Sequence, residues 1–375
     1  MKILKLLLSF VLLVGCSKPQ EKIVETKKVE KQDPTVSFVA VGDNVMHERL
    51  LIDAKTSNGY DFQPYYENIK PYIQKADLAF VNQETILGGK ASGFPEFSTP
   101  DEMARDLQVV GFDIVNGASN HALDKGKDGL LHSIQVFSKY PDLNYIGLYE
   151  SQEKRDHITV VERNGIKIAF LSYNQYTNDH KMPNSYCMNL FNEDVIKKDV
   201  KKAKSMSDFV IVSCHWGNEY STKPDSFQKH YAKLLANVGV DVILGTHTHT
   251  LEPVECVEGQ NGHKTLVAYS LGNFVHGMLE EETQLGGMLS FDLKKKDNDC
   301  SIENIVLTPV MNHYTASNLK DVYHTRENFT VYRLKDYNEK LASEHALNHY
   351  EERSIQYTKM QDIVKQRIKG IDIDM

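Results

Sequence analysis

Five short polar segments hold the side chains best suited to chemistry in this chain. They are Gly42-Asp43, Asn82-Gln83-Glu84, Ser119-Asn120-His121, Cys214-His215 and Gly245-Thr246-His247-Thr248-His249. Asp43 and Glu84 bring carboxylates, Asn120 an amide, and His121, His215, His247 and His249 imidazoles. Oxygen and nitrogen donors without thiolate suit Mn, Fe or Zn. A pair of such ions about 3.5–4 Å apart acidifies a shared water and neutralises a developing anion. The inventory therefore points to metal-assisted hydrolysis.

Each segment alone carries less weight. Gly-Asp is also a common turn or helix start, and Asn120 is also a plausible helix cap. Asp124, three residues after His121, is placed to orient that imidazole. His247 and His249 share a face if their segment is extended, because alternate residues then point the same way. Asn82 stands in the same relation to Glu84. Arg49, Glu219 and Asn273 are candidate contacts to a substrate, with surface ion pairs and turns as their competing readings.

The elements that must position these residues are strands. Val36–Val41, Asp77–Val81, Phe112–Val115, Phe209–Ser213 and Val240–Leu244 are apolar runs that end at or just before the polar segments. Helices are expected near Pro64–Lys75, Asp101–Val110, Leu123–Tyr140, Glu193–Ser205 and Ser226–Val238. This alternation predicts a largely parallel sheet with its site beyond the strands' carboxyl ends. Asn164-Gly165 predicts a hairpin between Ile158–Val161 and Ile166–Leu171. Val254–Glu258 with Thr265–Tyr269, and Met288–Leu293 with Ile302–Thr308, predict further antiparallel pairs. The Gly-, Ser- and Pro-rich stretch 88–100 reads as an exposed, mobile loop. Gly42 and Gly245 read as glycines that ease turns. From Asn318 onward the sequence reads as polar and helix-prone, with no cluster suited to catalysis.

The first residues pair Lys2 and Lys5 with an apolar run ending at Gly15, the pattern of an export signal. That run is shorter than the roughly 20 residues of a membrane-spanning helix. Leu13-Val14-Gly15-Cys16 resembles a bacterial lipobox, which implies lipidation of Cys16. Residues 17–34 are polar and read as a tether. The expected organisation is a signal at 1–15, a lipidated Cys16 with tether at 16–35, a main domain at 36–315 and a helical extension at 316–375. The expected location is the extracytoplasmic face of the cell membrane, reached through the lipid anchor.

The chain has 375 residues and a formal charge of −8, and loss of Lys2 and Lys5 with the signal takes it to −10. Such a balance argues against general nucleic-acid binding, which needs a broad basic face. Besides Cys16, only Cys187, Cys214, Cys256 and Cys300 are present, too few for a disulfide scaffold. No disulfide is expected.

The order of the motifs is similar to that of the calcineurin-like metallophosphoesterases. It resembles more closely the CapA family of capsule and poly-γ-glutamate synthesis proteins. The resemblance runs through Gly42-Asp43-Asn44-Val45-Met46, Asn82-Gln83-Glu84, Ser119-Asn120-His121-Ala122-Leu123-Asp124, His215-Trp216-Gly217-Asn218-Glu219-Tyr220, His247-Thr248-His249 and Tyr269-Ser270-Leu271-Gly272-Asn273-Phe274. It covers roughly residues 36–280. It implies a layered α/β/β/α sandwich with mixed sheets, of metallophosphoesterase type. It further implies that Glu84 bridges two metal positions, one completed by Asp43 and His249, the other by Asn120, His215 and His247. His121, with Asp124, would then serve as general acid or stabilise the transferred group. Two departures bear on this. Val45 stands where the phosphoesterase pattern has a histidine, and Asn-Gln-Glu replaces Gly-Asp. One or two divalent ions are therefore expected.

The resemblance implies work on an anionic surface polymer or with its synthase. A non-catalytic accessory lipoprotein is the second reading. A lipid-anchored solute-binding protein is a third, and it gives no reason for donor residues at five strand ends.

Overall fold

The computed structural model describes residues 33–375 apart from Asn298, and only the backbone of Asn261. The expected signal segment and Cys16 lie outside the described residues. No helix among the described residues is long and apolar enough to cross a membrane.

Two mixed sheets carry the architecture. Across the first run Arg326–Arg333, Asp299–Ala316, Leu285–Lys296, Thr35–Asn44, Leu78–Gln83, Ile114–Asn116 and Asn144–Ile146. From Thr35–Asn44 to Asn144–Ile146 the neighbours are parallel; on the other side they are antiparallel. Two short strands, Asn273–Val275 and Asp372–Ile373, join this sheet off the main path. Across the second sheet run Val254–Glu258, Lys264–Ala268, Val242–Thr246, Phe209–His215, Ile166–Asn174 and Thr159–Arg163. Its four central strands are parallel and both edges antiparallel. The Asn164-Gly165 hairpin is present, with both residues at positive φ.

The sheets pack face to face. Phe38 of the first sheet stacks on Phe170 of the second, with ring centroids 6.2 Å apart. Along Phe209–His215 the side chains alternate between two cores. Phe209 and Ile211 join the core shared with the first sheet. Val210, Val212 and Cys214 pack with Val200 and Leu235 of the helices Glu193–Lys204 and Ser226–Val238. The helix Glu102–Val110 buries Met103, Leu107 and Val110 against the first sheet's core. The layering is α/β/β/α, and strands buried on both faces read as continuous apolar runs for this reason. Cys187, Cys214, Cys256 and Cys300 are free thiols.

Several local expectations need correction. The segment after Asn318 is not simply a helical extension. Arg326–Arg333 forms an edge strand of the first sheet, burying Phe329 and Val331 on alternate positions. Around Pro64–Lys75 there is no continuous helix, only the turns Gln63–Tyr66 and Lys70–Ile73. Each has a proline as its second residue, Pro64 and Pro71, and Pro71 has no N–H to join the second turn to the first. The helix expected from Leu123 starts at Gly126, whose left-handed backbone sets the boundary. Stretch 88–100 is only partly exposed: Phe97, Ser98, Thr99 and Pro100 are buried.

Candidate metal centre

Register brings the polar residues together. In the first sheet Asp43 pairs with Asn82 and Asn273, and Asn82 pairs with Asn116. In the second, His215 pairs with Asn174 and Thr246. A bulge between Ala40 and Asp43 inserts one residue opposite the neighbouring strand. That extra residue returns Asp43 to the face shared by Phe38 and Phe80, toward the second sheet.

Gly42 and Gly245 act through close approach rather than by easing turns. A β-carbon on Gly42 would sit 1.8 Å from the Gly272 carbonyl oxygen, and one on Gly245 1.9 Å from that of Tyr269. His247 and His249 converge, but not as alternate residues of a strand. Both have positive φ, 94° and 61°, so a left-handed turn aims them inward. Such backbone is rare for non-glycine residues and is held here by its surroundings. One restraint is the His247 N–H, which donates to Asp43 Oδ2 at 3.1 Å.

The donors form two sets around one carboxylate. Donor atoms of Asp43, Glu84 and His249 lie within 4.8 Å of one another, and so do those of Glu84, His215 and His247. Asn120 Oδ1 is 2.9 Å from His215 Nε2. Glu219, more exposed, shares a third set with His247 and His249. Asn120 caps no helix.

The chemistry of the pocket fits a cation. Glu84 is fully buried, and neither of its carboxylate oxygens has a hydrogen-bond partner among the described residues. His247 Nδ1 is also without one. A buried bare carboxylate is costly unless a positive charge or donors compensate it. Burial pushes Glu84 well above the usual carboxylate range; His249 opposes this and Asp43 adds to it. Burial, with neighbouring imidazoles, holds His215 far below its ordinary value and His247 at about 3. Both rings are therefore neutral, with lone pairs to give. Burial pulls His249 down too, but Glu84 and Asp43 outweigh it and lift it to about 9. A divalent cation would replace that proton, as metal binding at such sites generally does.

Supporting contacts fix these donors. Asn82 Nδ2 donates to Asp43 Oδ1 at 2.7 Å and accepts, through Oδ1, from Asn116 Nδ2 at 2.7 Å. Asn82 is fully buried and faces Asp43, so it holds a carboxylate rather than a substrate. Asn273 Oδ1 lies 3.0 Å from His249 Nδ1 and likewise faces an imidazole. His121 Nδ1 lies 2.8 Å from Asp124 Oδ2, which also accepts the Phe97 N–H at 2.7 Å. Arg49 stands apart from the donors and donates to the Arg326 carbonyl. His47 belongs to none of the donor sets; its Nδ1 accepts the Gly277 N–H at 3.1 Å.

Sequence reasoning missed Thr246, Asn116 and Asn178. Thr246 Oγ1 is 2.9 Å from His215 Nδ1. Asn178 Oδ1 accepts from Asn120 Nδ2 at 3.3 Å, and its Nδ2 lies 3.4 Å from His121 Nδ1. The signal for Asn178 was its place just beyond the apolar strand 166–174, where the other site residues also cluster.

The family model described as "Bacterial capsule synthesis protein PGA_cap" matches residues 37–278. The chain is 27% identical over 314 residues to the "Capsule biosynthesis protein CapA" of Bacillus anthracis, covering 79% of this chain and 72% of that one. It is 28% identical over 280 residues to the "PGA biosynthesis protein CapA" of Bacillus subtilis (strain 168), covering 72% and 71%. Among solved structures, a hypothetical protein from Thermus thermophilus aligns with a TM-score of 0.46 at 16% identity, covering 73% of this chain and 99% of that one.

Proposed function

This chain belongs to the PGA_cap family of bacterial capsule synthesis proteins, and from that premise we propose that it is a metal-dependent hydrolase serving the synthesis of an anionic surface polymer. The observation that carries the reading is the bare carboxylate of Glu84 between two sets of donors. The bond cleaved is a phosphoester, or an amide of the polymer itself. The names of the two CapA relatives supply the biological setting.

Asp43, Glu84 and His249 would hold one ion, and Glu84, His215, His247 and Asn120 a second. Mn, Fe or Zn suits these donors. When bound, such an ion supplies a water of lowered pKa and positive charge opposite a developing anion. The protein's own groups do the rest. Asp124 accepts the Nδ1 proton of His121 and so fixes its tautomer. That turns His121 Nε2 toward the substrate, where the imidazolium form, with a proton on each nitrogen, would give its Nε2 proton to the leaving group or steady the transferred group. Phe97, edge-on to the His121 ring at 4.7 Å, shields it from bulk water.

We place the protein on the extracytoplasmic face of the membrane, anchored through lipid on Cys16. Fractionation of the wild type and Cys16→Ala tests the anchor. Metal analysis of the purified chain, with an aryl phosphate as substrate, tests the hydrolase. No bound Mn, Fe or Zn, and no turnover after reconstitution, would sink it. A non-catalytic accessory role is the second reading, favoured by Val45 in place of a histidine. Under it, His121→Ala leaves polymer output intact while Cys16→Ala abolishes it.

A further inference from the structure

A cavity of about 310 Å³ lies beside the metal centre, lined in part by Arg49, Tyr220, Met278, Tyr323 and Arg326. Short contacts join the two. His249 Nδ1 lies 3.0 Å from Asn273 Oδ1, and Asn273 Nδ2 lies 3.4 Å from Met278 Sδ. The Tyr220 ring, on the cavity wall, is 6.1 Å from the His249 ring.

Arg326 is the unusual member. It is only 4% exposed, yet it forms no ion pair among the described residues. Its Nη1 donates to the Gly277 carbonyl, and its Nε has no acceptor among the described residues. The rings of Tyr314 and Tyr323 lie 5.7 and 5.5 Å from the guanidinium carbon. Arg49 sends Nε and Nη2 to the Arg326 carbonyl at 3.2 and 2.7 Å, so a second cation stands close by. Arg49 has no ion-pair partner either among the described residues. Glu48 and Glu280 line the same cavity but pair with neither arginine.

Neighbouring donors repeat the pattern. Among the described residues the Tyr314 hydroxyl has no hydrogen-bond partner. His276 Nδ1 accepts the Met278 N–H at 3.0 Å, so the neutral ring carries its proton on Nε2, which is also without a partner. A buried guanidinium needs a counter-charge, and its fork matches carboxylate and phosphate. Arg326 lies beyond the residues matched by the family model, in the segment that the sequence left without a chemical role.

We propose that this cavity is a subsite for an acidic group of the substrate, a carboxylate or a phosphate, gripped by Arg326 and Arg49 while the reacting bond lies at the metal centre. The subsite rests on the hydrolytic reading of that centre. Tyr323 and Tyr220, both about half exposed, offer flat apolar surface for the chain that carries the acid. The substrate class is thus one bearing a negative charge close to the bond that is cut.

Calorimetric titration of the full-length chain in chelator isolates this subsite from any bound metal. The probes are glutarate, inorganic phosphate and uncharged glutaramide. At least one acid should bind, glutaramide should not, and Arg326→Gln and Arg49→Gln should each weaken binding by about tenfold or more. The tighter acid identifies the group as carboxylate or phosphate. Glutaramide binding as well as the acids, or wild-type affinity in the folded variants, overturns the proposal. Should Arg326→Gln fail to fold, Arg326→Lys and Arg49→Gln carry the same criterion. Metal content measured without chelator separates the two readings. A wild type that binds acid but no metal keeps the subsite and refutes the hydrolase, whereas a metal-loaded wild type that binds no acid does the reverse.

Discussion

Glu84 Oε1 lies 3.7 Å from His249 Nε2 in a pocket where neither Glu84 oxygen receives a hydrogen bond. The relation is one of charge without donors. Glu84→Gln keeps the shape and removes the charge. Metal binding should be lost, because the one group common to both donor sets no longer carries a negative charge. In chelator the same variant should fold at least as stably as wild type, since it removes a buried carboxylate whose desolvation is offset only by the His249 imidazolium 3.7 Å away. Metal analysis and thermal denaturation with and without chelator check both halves. A variant that keeps its metal contradicts the assignment.

Asn82 tests the support beneath Asp43. It donates to Asp43 Oδ1 and accepts from Asn116, whose Oδ1 in turn accepts from Ser172 at 2.7 Å. Asn82→Leu strips Asp43 of that donor and leaves Asn116 partly unpaired. Metal affinity should fall by about 10–100-fold, the usual effect of losing an outer contact to a ligand. Stability should drop by about 1–3 kcal/mol from the orphaned amide. Competition with a chelating dye and urea denaturation measure the two effects. An unchanged affinity would show that the His247 N–H and the strand backbone suffice to hold Asp43.

Asp124→Asn separates proton transfer from metal binding. The His121 to Asp124 contact of 2.8 Å involves no donor of the two metal sets. The variant should keep its metal and lose turnover on an aryl phosphate by about 10²–10⁴-fold, the range of general acid–base effects. A loss of metal instead would make Asp124 part of the scaffold.

Much of this site was legible in the order of residues alone. Strand ends could be found because strands buried on both faces read as unbroken apolar runs, and polar residues at their carboxyl ends stand out. Asp43, Glu84, Asn120, His215, His247 and His249 do meet. Their orientation was less legible. The bulge before Asp43 and the left-handed turn at His247 and His249 depend on contacts with Gly272 and Asp43, which are remote in sequence. The role of residues after 318 was hidden for a related reason. Arg326–Arg333 is short and polar on one side, and only pairing with Asp299–Ala316 makes it a strand.

Two buried histidines away from the metal centre, His313 on the strand Asp299–Ala316 and His345 in the segment after 318, add to the acid sensitivity of the fold. Burial holds His345 at about 3 and His313 at about 4, both below the ordinary value of 6.5. The unfolded chain takes up these protons near pH 6.5 and the folded chain does not. Their contribution is therefore whole above about pH 6.5 and is lost as pH falls toward the folded values. Each should remove up to roughly 1.4 kcal/mol per pH unit across that window. Urea denaturation of the chain in chelator between pH 7 and pH 4.5 should show stability falling with acid. His345→Gln and His313→Gln should flatten the slope. A slope unchanged in both variants would place the acid sensitivity elsewhere.

Gly42 links the fold to the site most directly. It sits at the bulge that turns Asp43 inward, and the Asp43 N–H donates to the Gly272 carbonyl at 2.9 Å. A methyl group on Gly42 would meet that carbonyl oxygen at 1.8 Å, and the clash involves backbone on both sides. The strands must then separate, and the Asp43 contact lengthens with them. Gly42→Ala should cost about 1–3 kcal/mol, the usual range for overpacking. Metal affinity should fall in the same variant although no donor has changed. Gly165→Ala is the control, because its added methyl meets open space and only its left-handed backbone is strained. It should lose stability without losing metal. Equal metal affinity in the two variants would mean that the bulge does not position Asp43.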